Sequence, residues 1–191
     1  MLHMEYKHLF LKAILFFIIM PMFSQNKYSD TEVKLSNESM KSPLIVEFTN
    51  PKWNGKEVPE VGICTLCGGE GNSPELKVSN IPDSANTIIV EFNDRDYSPL
   101  SYNGGHGSIS IDCVKRNEVI VPSIPEQTFD VPKGVKTEHA HRAPKGNQGT
   151  YLGPCSCGYG NRYFAVIKAV FRSQGKDDKI LAQKTIELGT H

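Results

Sequence analysis

The chain consists mainly of short apolar segments separated by turn residues. Five of these segments have the length and the β-branched or alternating composition of strands, and they span residues 44–48, 87–92, 107–111, 118–121 and 162–171. The last has apolar residues on both faces except at Lys168, which predicts a central strand that is covered on both sides.

One segment, residues 177–188, has the pattern of a helix. Asp177 or Asp178 is a suitable N-cap, and helical spacing relates Ile180, Leu181, Lys184 and Leu188. We therefore expect a helix there. Because strands dominate and do not alternate with helices, the whole pattern predicts a mostly-β single domain.

The N-terminus has a different pattern. A basic flank (Lys7, His8 and Lys12) precedes an apolar run at 13–23, and Ser24 and Gln25 follow it. This pattern is typical of a secretory signal peptide, because a membrane span needs about 20 apolar residues. We predict a signal peptide at 1–25, a flexible lead-in at 26–43 and a domain at 44–191. The mature protein would be periplasmic or secreted, with no membrane span.

The length and net charge of the chain limit the number of domains and the classes of partner that it can have. The 191 residues contain 21 Lys and Arg against 21 Asp and Glu, and 39% of them are hydrophobic. This length is enough for one domain with a proper core. The neutral balance gives no general electrostatic attraction to nucleic acid, so we expect no nucleic-acid partner.

The five cysteines form two clusters and one isolated thiol. Cys64 and Cys67 make a C-x-x-C pair, and Cys155 and Cys157 make a C-x-C pair. Four thiolates could bind zinc, but export favours disulfides. Links within a cluster would close only very small rings, so we expect links between the clusters. Cys113 is predicted to be a buried free thiol. We therefore expect no metal site.

Two carboxylates and a histidine lie close to the ends of predicted strands. Asp94 and Asp96 share one side of an extended chain, and His106 precedes the next strand. Together they could form a general acid/base site, although Asp residues in such loops more often bind local backbone amides. The sequence contains no nucleophile elbow and no glycine-rich phosphate loop. No cofactor is predicted.

A basic segment at 131–149 allows two interpretations. It can be a solvated surface loop, or it can be a flap that attracts an anion to a nearby pocket. His139 and His141 would point to one face of an extended chain, but without a carboxylate partner they are a weak metal site.

Several motifs occur in the order found in one known family. These are "GKEVPEVGICTLCGGEGNSPELKVSNIP" at 55–82, "VEFNDRD" at 90–96, His106, and "YLGPCSCGYGNRY" at 151–163. Together they resemble the phosphatidylethanolamine-binding protein (PEBP) family. The similarity is to its bacterial Raf-kinase-inhibitor-like members of the YbhB/YbcL type, and it covers about residues 44–190.

This resemblance implies a central β-sandwich with a few short peripheral helices and a small anion pocket at one end. In the family that pocket binds phosphate-type groups and phospholipid head groups. The resemblance assigns the following ligand-binding residues: Asp94, Asp96, His106, Tyr151, Gly153, Pro154, Cys155, Asn161 and Tyr163. We expect the Gly-Pro-Cys loop to present N–H groups to the anion, and a nearby carboxylate to raise the pKa of His106.

The chain departs from the family pattern at five positions. Val78 replaces a Trp, Arg95 replaces the Pro between the two Asp residues, and Gly107 replaces the Trp after the pocket His. Cys157 stands at a usual Pro, and Asn161 stands at a usual His. The Asn161 change removes one cation from the pocket, and Arg95 adds one nearby.

Three functions remain open at this stage. The first is the binding of a small phosphate-bearing or carboxylate ligand without catalysis, with a possible regulatory role. The alternative is a protein–protein inhibitor of the kinase- or protease-inhibitor type, which would have a protein partner. The third is a hydrolase that uses His106 and the two Asp residues.

The apolar run and its polar exit generate a prediction about processing. We expect cleavage near Ser24 or Gln25 in the native host, because this is where the apolar core ends. Intact-mass measurement of the purified protein should show that the segment has been lost. A full-length species in the cytosol would contradict the prediction.

Overall fold

The computed structural model describes residues 43–191, which form two antiparallel sheets. The predicted signal peptide (1–25) and the lead-in up to residue 42 lie outside the described residues. The strands are β1 (Ile45–Phe48), β2 (Leu76–Ser79), β3 (Thr87–Asp94), β4 (Ser108–Asp112), β5 (Glu118–Val121), β6 (Val135–His139), β7 (Arg162–Phe171) and β8 (Lys179–Thr190). Two short 3₁₀ helices cover Thr65–Cys67 and Ser98–Leu100.

The strands are arranged as a sandwich. The smaller sheet has the order β1-β2-β5, and the larger has the order β6-β4-β3-β7-β8. The inner faces share one core, in which Leu76 and Val78 of β2 belong to the same buried cluster as Ile88 of β3 and Ile167 of β7. This mostly-β sandwich confirms the predicted fold class.

The predicted central strand is confirmed in β7. It pairs with β3 on one side and β8 on the other, and most of its residues are buried. Lys168 is tolerated there because its Nζ lies 2.6 Å from Oε1 of Glu91 on β3, and both side chains are largely buried. A charge in a buried strand needs such a partner.

The helix predicted at 177–188 is wrong. The segment forms β8, which pairs with β7 from Arg162 opposite Thr190 to Phe171 opposite Lys179. Helical spacing was matched by chance, and the backbone pairing with β7 decides the outcome. Two register irregularities in this pairing interrupt the alternation that would have indicated a strand.

The basic segment at 131–149 is also more structured than a surface loop. It contains β6, which pairs with β4 at the edge of the larger sheet. His139 is exposed and His141 is buried, with its Nε2 lying 2.9 Å from the carbonyl oxygen of Asn147. The two imidazoles therefore have different surroundings. Within residues 43–191 there is no helix long and apolar enough to cross a membrane.

The core of β7 generates a stability prediction. Ile167→Ala should lower the free energy of unfolding by about 2–5 kcal/mol, because the side chain is fully buried and its removal leaves a cavity. Ile180→Ala on β8 is the matched control, since 52% of Ile180 is exposed. Urea denaturation of both variants measures the difference, and equal losses would contradict the assigned packing.

Candidate functional site

A cleft opens where β3 ends and β7 begins. Its volume is about 500 Å³. It is lined by side chains from the loops after β3, after β6 and before β7, namely Asp94, Asp96, Tyr97, Leu100, His106, Ala143, Pro144, Lys145, Leu152, Cys155, Ser156, Cys157, Tyr159, Asn161 and Tyr163. Tyr151, Gly153 and Pro154 were assigned to the site but lie outside this lining.

Asp94 ends β3 and is buried. Its Oδ1 accepts hydrogen bonds from the backbone N–H groups of Asp96 (2.8 Å) and Tyr97 (3.1 Å), and its Oδ2 accepts one from the side-chain amide of Asn161 (2.8 Å). The carboxylate therefore holds the turn after β3, as the backbone-binding alternative proposed, and forms no hydrogen bond with His106.

Asp96 is paired with Arg162. Its Oδ2 accepts hydrogen bonds from the backbone N–H (2.8 Å) and Nε (3.0 Å) of Arg162, and its Oδ1 lies 2.6 Å from Nη2. These hydrogen bonds from Arg162 hold the pKa of Asp96 at about 2. Asp96 is thus ionised, and its charge is partly neutralised before any ligand arrives.

His106 lies at the floor of the cleft and is only 3% exposed. Its Nδ1 lies 2.9 Å from the carbonyl oxygen of Leu152. Because a carbonyl oxygen only accepts hydrogen bonds, Nδ1 carries a proton. The buried Nε2 has no hydrogen-bond partner among the described residues.

The expected rise in the pKa of His106 is wrong. Burial lowers this pKa, and the effect outweighs the opposing contributions of the Leu152 carbonyl, the Asp94 carboxylate and the Gly153 backbone. The nearby His141 lowers it further. His106 is therefore a neutral imidazole whose Nε2 accepts a hydrogen bond.

Tyr163 stands beside this imidazole. The two rings pack edge to face with centroids 5.4 Å apart, and the Tyr163 hydroxyl accepts a hydrogen bond from the backbone N–H of Cys155 at 3.1 Å. Burial raises the pKa of Tyr163 to about 12. Its hydroxyl therefore keeps its proton and remains a hydrogen-bond donor.

The N–H groups of the Gly-Pro-Cys loop are used inside the protein. Leu152 donates to the carbonyl of His106 (3.0 Å), Gly153 donates to Oε2 of Glu126 (2.9 Å), and Cys155 donates to Tyr163. Pro154 has no N–H. The expectation that these N–H groups bind an anion is therefore wrong.

Glu126 was missed by the sequence analysis. It is 9% exposed, and its Oε1 accepts hydrogen bonds from the backbone N–H (2.8 Å) and hydroxyl (2.6 Å) of Thr65 and from the amide of Gln127 (2.7 Å). Its Oε2 accepts the Gly153 N–H. Burial alone would raise the pKa of Glu126, but these hydrogen bonds outweigh it and the pKa lies below its usual value. This carboxylate joins the two cysteine-bearing loops.

Two disulfides join the same loops. They link Cys64 to Cys155 and Cys67 to Cys157, which confirms the expected cross-links between the clusters. Cys113 is buried and free, as predicted. Because Cys155 and Cys157 line the cleft, the disulfides fix one of its walls.

Two departures from the family pattern have a clear effect at the site. Gly107 has a φ of +109°, and a Cβ there would lie 1.9 Å from the carbonyl oxygen of Thr150, so no larger residue fits beside His106. Arg95 lies 4.0 Å over the ring of Phe164 and binds the carboxylate of Glu187, outside the cleft lining. The expected extra cation is therefore not in the cleft.

The disulfides generate a mapping prediction. Peptide mapping without reduction should recover Cys64 linked to Cys155 and Cys67 linked to Cys157. The first bridge to form closes a loop of about 90 residues and stabilises by about 4–5 kcal/mol in the chain-entropy model, whereas the second adds less.

Removing Cys64 and Cys155 together should cost more stability than removing Cys67 and Cys157, because Cys64 is fully buried. Serine replacements compared by urea denaturation test this order. Links within either cluster, or four free thiols in protein from an oxidising compartment, would contradict the pairing.

Comparison with known proteins bears on the fold. No protein-family model and no curated protein sequence matches the chain. The crystal structure of Escherichia coli YbcL, described as a new member of the mammalian PEBP family, matches with a TM-score of 0.50 and 16% identity over 78% of this chain and 98% of YbcL. A PEBP homologue from Chlamydia trachomatis matches with a TM-score of 0.48 and 18% identity, covering 79% and 98% of the two chains. The likeness to YbcL, together with the two-sheet architecture, confirms that this chain has the fold of the phosphatidylethanolamine-binding protein family.

Proposed function

We propose that this protein binds a small anion of the phosphate type in the cleft over His106. The observation that carries the proposal is the Nε2 atom of His106, which is buried at the cleft floor without a hydrogen-bond partner in residues 43–191. Buried polar atoms are normally hydrogen-bonded, so an exception in a cleft calls for a ligand. The cleft volume of about 500 Å³ lies in the range of small-molecule sites and leaves room for a substituent on the phosphate.

The protonation state of His106 selects the form of the ligand. A neutral Nε2 accepts a hydrogen bond, and a phosphate monoester that keeps one proton has a P–OH group to donate. Lys145, which also lines the cleft, supplies a positive charge for the remaining oxygens. Asp94 and Asp96 are already hydrogen-bonded within the protein. In this proposal Asp94 therefore stabilises the turn after β3, and Asp96 positions Arg162.

A binding role is favoured over catalysis. The Nδ1 partner of His106 is a carbonyl and not a carboxylate, so the described residues around His106 do not form the Asp–His pair of a catalytic triad. Cys155 and Cys157 are in disulfides and cannot act as nucleophiles. We infer that the ligand leaves the cleft chemically unchanged.

A protein partner at the cleft mouth is the second candidate. Tyr159 lines the cleft and is 90% exposed, and Tyr97, which also lines it, is exposed as well. Tyrosine is enriched where proteins meet, because it combines a large apolar ring with a hydroxyl. In this version, export brings the protein to its partner and the anion regulates the contact.

The first test is the removal of the His106 imidazole. His106→Ala should weaken the binding of phosphoserine or phosphoethanolamine by about 1.5–3 kcal/mol, the usual value of a hydrogen bond to a charged group. His139→Ala is the control, because His139 is an exposed histidine outside the cleft lining. Titration calorimetry measures both variants, and ³¹P NMR checks that the ligand is unchanged. Equal affinity of wild type and His106→Ala, or no binding at millimolar ligand, would contradict the proposal.

The second test is the dependence of affinity on pH. Above pH 7 the free phosphate monoester is mostly the dianion, because its second pKa is about 6, and His106 is neutral, because burial lowers its pKa, so forming the complex takes up one proton. Affinity should therefore fall about tenfold per pH unit between pH 7 and 8. His106→Gln keeps a hydrogen-bonding side chain without a titrating ring and should flatten this slope. A wild-type affinity that rises with pH would rule out the shared proton.

A further inference from the structure

The four cysteines of the two loops lie in one compact group. This four-cysteine cluster consists of Cys64, Cys67, Cys155 and Cys157. The sulfur atoms of Cys64, Cys67 and Cys155 all lie within 4.8 Å of one another, and the Cys157 sulfur, which is outside this group, is bonded to that of Cys67. The Cys67 and Cys155 sulfurs are not bonded to each other and are 3.8 Å apart.

The cluster is held together by more than its disulfides. The backbone N–H of Cys64 donates to the carbonyl of Pro154 at 3.0 Å, which joins the two loops directly. The carboxylate of Glu126 accepts N–H groups from Thr65 in one loop and Gly153 in the other. These contacts do not depend on the disulfides, so we expect them to keep the two loops, and with them the thiols, close together after reduction.

The local backbone places each cysteine pair in a tight turn. The N–H of Cys67 donates to the carbonyl of Cys64 at 3.0 Å, and the next residue, Gly68, has a φ of +89°. In the second loop Cys157 and Gly158 have φ angles of +52° and +87°. A C-x-x-C pair in a turn that ends at glycine has the ligand spacing of structural zinc sites.

We propose that the reduced protein binds one Zn²⁺ ion through the thiolates of the four-cysteine cluster. A tetrahedral site with Zn–S bonds of about 2.3 Å has sulfur–sulfur edges of about 3.8 Å. The unbonded pair Cys67 and Cys155 already has this separation. To complete the tetrahedron, the two bonded pairs separate from bonding distance to this edge length, and the Cys157 sulfur moves into the group formed by the other three.

Reduction of the two disulfides requires a reductant, which can be a dithiol or a phosphine. Each disulfide takes up two electrons from the reductant and two protons and gives two thiols; a dithiol supplies the protons itself, whereas with a phosphine they come from the water that provides the oxygen of the phosphine oxide. Zn²⁺ then displaces the four thiol protons, which pass to the buffer. Disulfide formation and metal binding therefore compete for the same four sulfurs, and the compartment's redox state decides between them.

Cys113 does not compete for the metal. It is fully buried, and burial raises the pKa of its thiol to about 11, so it stays protonated. This provides a matched cysteine control for the cluster.

The test is a titration of the purified chain with Co²⁺ and then Zn²⁺ after reduction with a phosphine. We expect one Co²⁺ per chain, with the intense visible absorption of tetrahedral thiolate coordination, displacement by Zn²⁺, and no such signal from the oxidised protein. Cys157→Ser should lose the four-sulfur spectrum, and Cys113→Ala should keep it. Glu126→Gln should weaken metal affinity about tenfold or more, because it loosens the contact that brings the loops together.

Three results would overturn the proposal. The first is a reduced protein that takes up no Co²⁺ or binds it only with an octahedral spectrum. The second is a spectrum unchanged by Cys157→Ser. The third is loss of the β-sheet circular dichroism signal on reduction alone, since the proposal requires the loops to stay in place without their disulfides.

Discussion

The buried carboxylate of Glu126 is the contact on which the geometry of the site depends. It accepts hydrogen bonds from both cysteine-bearing loops and so sets where Leu152 and its neighbours lie. The Leu152 carbonyl in turn fixes which nitrogen of His106 carries the proton. Because the pKa of Glu126 is lowered in the folded state, its stabilisation is present above the ordinary value of 4.5 and is lost as pH falls through the lowered pKa.

The sandwich was predictable because the amino-acid composition of each central strand is by itself typical of a β-strand. β3 and β7 are long, β-branched and buried, so their sequences indicate strands without knowledge of their partners. β2 and β6 are short and mixed in polarity, and they were missed for that reason. β8 was mistaken for a helix because its pairing with the preceding strand β7 depends on residues outside the segment, which the spacing within the segment does not reveal.

The site was only partly predictable, for a similar reason. Motif order brought Asp94, His106 and Asn161 to one cleft, and the structure places all three in its lining. Glu126 stands in a proline-containing loop without any local signal, since its partners lie 61 and 27 residues away. The direction of the His106 pKa depends on how deeply the ring is buried, which a sequence does not give.

The departures from the family pattern explain why the cleft has few positive charges. Asn161 donates its amide to Asp94, so the position retains a hydrogen bond but not a cation. Arg95 binds Glu187 on β8, and Arg162 is paired with Asp96. Lys145 is therefore the one lysine or arginine among the described cleft-lining residues. In the proposed function, a neutral imidazole at the floor and a single lysine at the wall would favour an anion of one charge that brings its own proton over a dianion.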